Sequence, residues 1–152
     1  MITFKQFLAE ALLAPSENRT VPEVVDNLTL VHGSGNPDMK LDDIQIIRTS
    51  GVKQAKKGRI YGGFYTLAQK DAAKAEVYAK MMDGSTPTMY DVKIKQGTKI
   101  YQTDRDVTRL NPDAINELTE AGYGIIVGKD PRGHTEWVIV DKDCVQSVSV
   151  RS

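Results

Sequence analysis

A single cysteine, Cys144, among 152 residues excludes an internal disulfide framework and a thiolate metal cluster, and fits a reducing compartment. Histidine is nearly as scarce: with only His32 and His134, a His-rich metal site has too few ligands. Twenty basic residues against twenty acidic ones leave no net charge, so nothing in the balance demands a nucleic acid or an anionic membrane as partner. No apolar run approaches the roughly 20 residues that a membrane span needs. The start of the chain lacks the basic residues and long apolar stretch of a secretory signal. Aromatics are few, yet six of the ten are tyrosines. Hydrophobic residues at 40% and charged residues at 26% suit one globular domain with a real core.

The first twenty residues stand apart. Thr3 and Gln6 form a capping box for a short helix, and Phe4, Phe7, Leu8 and Ala11 recur on one face of it. Pro15 to Asn18 end it with linker chemistry. One reading is a helix packed on the domain; the other is a detachable leader, residues 1–20, ahead of a domain spanning 21–152.

The domain reads as short strands with two core helices. "LTLVHGSG" is a strand closed by a Gly-Ser-Gly turn, and "IYGGFYT" is another. Thr66 and Gln69 make a capping box that predicts a helix from Leu67 to about Met82, with Ala72, Ala75, Tyr78 and Ala79 on one face. "MYDVKIK" alternates Tyr90, Val92 and Ile94 inward. Asn111, Pro112 and Gly122 frame a second helix as N-cap, first residue and C-terminal cap. With the short apolar run "IQIIRT" and the strand "TKIYQT", the segments "YGIIVG", "EWVIVD" and "VQSVSV" complete seven or eight strands. Because they do not alternate as βαβ units, the fold class is α+β, with a mostly antiparallel, split sheet, two core helices and the N-terminal helix.

Four features collect at strand ends: His32 with Gly33 and Ser34, Tyr65 after Gly-Gly-Phe, Tyr78 on the following helix, and Glu136 heading the apolar run Trp137 to Val140. Each has a plain structural reading. His32 suits a satisfied strand-end histidine, Tyr78 suits helix packing, and Glu136 suits a solvated strand end.

Their order resembles the ADP-ribosyltransferase superfamily, in its His-Tyr-Glu branch of diphtheria toxin and the poly(ADP-ribose) polymerases. "VHGSG", "GGFYTLAQKDAAKAEVYA" and "TEWVIVD" are similar to the three motifs of that branch, over roughly residues 30–150. The resemblance implies an NAD-dependent transferase without a metal. Glu136 would stabilise the oxocarbenium-like ribose, and His32 would hold the adenosine-side ribose. The Gly33 backbone would bond the nicotinamide carboxamide, with Ser34 as a ribose contact. Tyr65 and Tyr78 would sandwich the nicotinamide ring. Lys53, Lys56, Lys57 and Arg59 sit where the family covers the pyrophosphate, and Lys57 and Arg59 are the cofactor-binding expectations among them. Tyr65 and Tyr78 are thirteen apart, two more than is usual in that branch. His134 stands where branches that modify arginine or asparagine carry Glu or Gln, so no acceptor is implied.

"FKQFLAEA" resembles the capsid-targeting leaders of internal head proteins in myovirus-type tailed phages, which a maturation protease cuts after Leu-x-Glu. Here the match is Leu8-Ala9-Glu10 before Ala11. Together the resemblances imply a mono-ADP-ribosyltransferase packaged in a phage head and then delivered into host cytoplasm. Its acceptor would be a host macromolecule, a protein ahead of a nucleic acid. An NAD glycohydrolase of the same fold, and a non-enzymatic internal head protein on this scaffold, are the alternatives.

Overall fold

The computed structural model describes residues 19–21, 28–44, 46, 63–80, 86–108, 110 and 112–151. The expected N-terminal helix and leader, and Lys53, Lys56, Lys57 and Arg59, lie outside them. Within them the chain is α+β. Eight strands form one mixed sheet in the order β1-β5-β6-β7-β3-β2-β4-β8. They are β1 (Arg19–Val21), β2 (Leu28–Ser34), β3 (Phe64–Ala68), β4 (Thr88–Ile94), β5 (Lys99–Asp106), β6 (Tyr123–Lys129), β7 (Thr135–Ile139) and β8 (Val145–Val150). Two helices accompany them, α1 (Ala72–Lys80) and α2 (Pro112–Glu120). β1 lies across the domain boundary expected at residue 21, pairing Arg19 with Gln102 of β5.

Alternation along the strands sorts the core. Tyr90, Val92 and Ile94 of β4 are buried with Leu30, Phe64 and Ile139, as the period-two pattern of "MYDVKIK" requires. Ile126 and Val138, opposite each other in β6 and β7, point to the other face. There Ile115 and Leu118 of α2 cover them, with Tyr101 of β5. Gly122 takes φ +93° just past α2, the left-handed cap conformation that the sequence assigns to it. β5 and β6 pair in parallel with α2 as the crossover, the one parallel pair among the described strands.

The first core helix begins later than its capping box suggests. Thr66 is not an N-cap: it sits inside β3, paired with Trp137, and its hydroxyl donates to the Trp137 carbonyl at 2.6 Å. Ala68 still pairs with Leu30, a 3₁₀ turn follows over Gln69–Asp71, and α1 starts at Ala72. Sheet pairing on both edges of β3 has won over a local capping option worth about 1 kcal/mol.

β3 joins the two halves of the sheet. Its residues 64–66 pair with β7, whereas Leu67 and Ala68 pair with Val31 and Leu30 of β2. β2 and β3 therefore part company just before His32 and Tyr65. α1 packs across β2 and β3 at that point, seating Ala75 on Val31 and Leu67.

Candidate active site

Glu136 is the first of the candidates to be decided by burial. It is only 3% exposed, so it is no solvated strand end. It lies opposite Gly128 of β6, on the same face of β7 as Val138. Tyr65, half-buried and directly opposite Val138, shares that face and packs on the cluster of Val138, Val140 and Ile126. The tyrosine and the carboxylate expected to act together are thus brought to one side of one strand pair.

Burying a carboxylate costs several kcal/mol unless a charge and hydrogen bonds meet it. Lys74 from the first turn of α1 supplies the charge. Its Nζ is 3.3 Å from Glu136 Oε1 and 2.5 Å from Asp130 Oδ2, bridging the two carboxylates.

Asp130 organises the turn between β6 and β7. Its Oδ1 accepts the amides of Arg132 at 2.9 Å and His134 at 2.8 Å, and its own amide donates to the His134 carbonyl at 2.8 Å. Nδ1 of His134 lies 3.2 Å from Oδ2. Burial pushes the Asp130 carboxyl up, but the Lys74 hydrogen bond and the His134 and Arg132 amides outweigh it and hold it well below the usual carboxylate range.

His32 approaches from β2. Its ring stacks on Phe64, with centroids 4.2 Å apart, and so lies on the face opposite Tyr65. Its Nδ1 lies 2.7 Å from the Tyr65 carbonyl oxygen. A carbonyl can only accept, so Nδ1 carries the proton and Nε2 is left as an acceptor in the neutral ring. Burial lowers the His32 pKa from its usual value, against the opposing pull of that carbonyl, and favours this neutral form. The bond ties β2 to β3 just beyond their last ladder pair.

At Gly33 α1 presses close on the sheet: a Cβ there would sit 2.0 Å from the Ala75 carbonyl oxygen. Ser34 has a local partner, its Oγ accepting the Asn36 amide at 3.0 Å in the turn after β2. Tyr78 lies within α1, and its side chain is outside the described residues. No group of three or more His, Cys, Asp or Glu among the described residues is placed to hold a metal ion.

A groove of about 450 Å³ lies alongside Lys74 and Asp130, lined also by Val77, Thr108, Pro131, Arg132 and His134. The sequence reading missed Lys74 and Asp130. Lys74 looks like any lysine on a solvated helix face, and only the fold shows the carboxylates it meets. Asp130 did carry a signal: Asp before Pro-Arg-Gly is turn chemistry, with the side chain bonding the backbone two residues on. No protein-family model matches the chain, and no curated protein matches it.

Proposed function

We propose that this domain is a mono-ADP-ribosyltransferase that uses NAD, with an ADP-ribosyltransferase-like fold. The observation that carries the reading is Glu136: a carboxylate buried near the start of β7, on the face of Tyr65, and held by Lys74, which itself lines the adjoining groove. A charge kept dry in this way is held in place before the reaction, the condition under which electrostatic stabilisation of a transition state is largest.

In the proposed reaction the bond between nicotinamide nitrogen and ribose C1′ breaks, its electron pair leaves with neutral nicotinamide, and positive charge develops on the ribose. Glu136 meets that charge more strongly in the transition state than in the ground state. An acceptor nucleophile then bonds to C1′ and gives up its proton. Tyr65 provides a ring for nicotinamide to stack on. His32, whose ring stacks on Phe64 on the face opposite Tyr65, is given no contact with NAD in this reading. The groove at Lys74, Arg132 and His134 is the approach for the acceptor, on the loop side of Glu136.

The reading extends to a phage protein carried in the head and delivered into the host. It predicts that chains recovered from mature virions begin at Ala11; recovery of Met1 to Glu10 on them would end that part of it.

Incubating the protein with NAD labelled in the adenosine half, together with host lysate, tests the function. Label on a protein band is the expected result. Free ADP-ribose alone makes the protein an NAD glycohydrolase, and unconsumed NAD refutes the enzymatic reading.

A further inference from the structure

We propose that Asp130 is a positioning residue for Glu136, acting through Lys74, and that it ties the carboxylate to the wall of the adjoining groove. The inference rests on the role proposed for Glu136. It comes from the different work done by the two oxygens of Asp130. Oδ1 is committed to the turn, accepting the Arg132 and His134 amides. Oδ2 is committed to the site, holding Lys74 at 2.5 Å while the same ammonium stands 3.3 Å from Glu136.

The geometry explains why one cation serves two carboxylates. Glu136 and Asp130 are both buried, and without Lys74 their like charges would repel in a poorly screened place. Lysine is long and flexible, and a single partner would leave its Nζ free to swing with solvent. Two anchors fix it. Asp130 is itself fixed by the backbone of its turn, so the chain from turn to Asp130 to Lys74 to Glu136 has no loose link. The groove is lined by Lys74, Asp130, Pro131, Arg132 and His134, five residues of that same chain and turn. A molecule entering there displaces the turn only by disturbing the group that orients Glu136.

The two oxygens allow the two duties to be separated. In Asp130→Asn the amide oxygen still accepts the Arg132 and His134 amides, while the anion facing Lys74 is lost. Nicotinamide release from NAD, measured on the full chain, is expected to show kcat lowered by about 10- to 100-fold with KM for NAD unchanged, the pattern of a displaced catalytic group. Lys74→Met should behave alike, and the double variant should be no slower than Lys74→Met, because both act on one link. Lys74→Arg, which keeps a cation between the carboxylates, should turn over faster than Lys74→Met.

Acetylation of Lys74 by acetic anhydride, followed by peptide mass, gives a readout independent of turnover: the side chain should be modified faster in Asp130→Asn than in the parent. Parent-like kcat in Asp130→Asn, multiplying effects in the double variant, or unchanged acetylation would each overturn the proposal. If the parent releases no nicotinamide at all, the reading of Glu136 fails instead, and the acetylation rate alone decides whether Asp130 holds Lys74.

Discussion

Gly33→Ala adds one methyl group at a close approach of α1 to the sheet. The new Cβ would lie 2.0 Å from the Ala75 carbonyl oxygen, 3.0 Å from its carbon and 3.1 Å from the Ala79 amide nitrogen. All three are backbone atoms of α1, so no side chain can swing aside to make room. The helix must move by about 1 Å to restore ordinary contact, lifting Ala75 from Val31 and Leu67. Overpacking of this kind costs about 1–3 kcal/mol, and rigid helix backbone puts this case at the upper end. For a chain of this size about 3 kcal/mol lowers the melting temperature by roughly 6–12 °C. The displaced helix also carries Lys74, so the 3.3 Å contact between Lys74 and Glu136 would be disturbed even in molecules that stay folded. Urea denaturation with thermal melts measures the cost, with Ser34→Ala, at the partly exposed end of β2, as the neighbouring control. A Gly33→Ala protein as stable as the parent would refute the close seating of α1 on β2.

Asp130 sets an acid limit. Its folded pKa lies below the ordinary 3.8, so the stability it contributes is full above that value and is lost as pH falls through the folded one. Urea midpoints taken from about pH 5 down to about pH 3 should therefore fall more steeply in the parent than in Asp130→Asn, which has no proton to gain; parallel curves would remove the ion pair from the account. Tyr65→Ala should weaken NAD binding several-fold in calorimetry, since ring contacts are worth on the order of 1 kcal/mol beyond burial, whereas Tyr65→Phe keeps the ring and should bind nearly as the parent does. NAD affinity unchanged in Tyr65→Ala would take the nicotinamide away from this face.

Much of the scaffold was legible because it follows from local pattern. The alternation in "MYDVKIK" gives the inward set Tyr90, Val92 and Ile94, and Pro112 and Gly122 bracket α2. The start of α1 was not legible. Thr66 and Gln69 have the chemistry of a helix start, and only the pairing of Thr66 with Trp137, 71 residues away, turns them into strand and 3₁₀ turn. The site divides in the same way. Glu136, Tyr65 and His32 stand out by their order and context along the chain, since none is specific alone. The face that Glu136 and Tyr65 share depends on the register of β3 on β7, and the opposite placement of the His32 ring depends on its stacking with Phe64. Lys74 and Asp130 are 56 residues apart and meet only through the folded sheet.

The central claim is that the buried carboxylate of Glu136 performs glycosidic chemistry on NAD, and nicotinamide release by the parent and by Glu136→Gln measures it most directly. Glutamine keeps the shape and the oxygen facing Lys74 but removes the charge. The lost attraction to Lys74 and the relieved cost of burying an anion are of similar size, so stability should change by only about 1 kcal/mol. Turnover should not be spared: losing one well-placed electrostatic group costs about 10²- to 10³-fold. The expected result is a folded variant that binds NAD like the parent and releases almost no nicotinamide. Release at the parent's rate would contradict it and make Glu136 a structural partner of Lys74 alone.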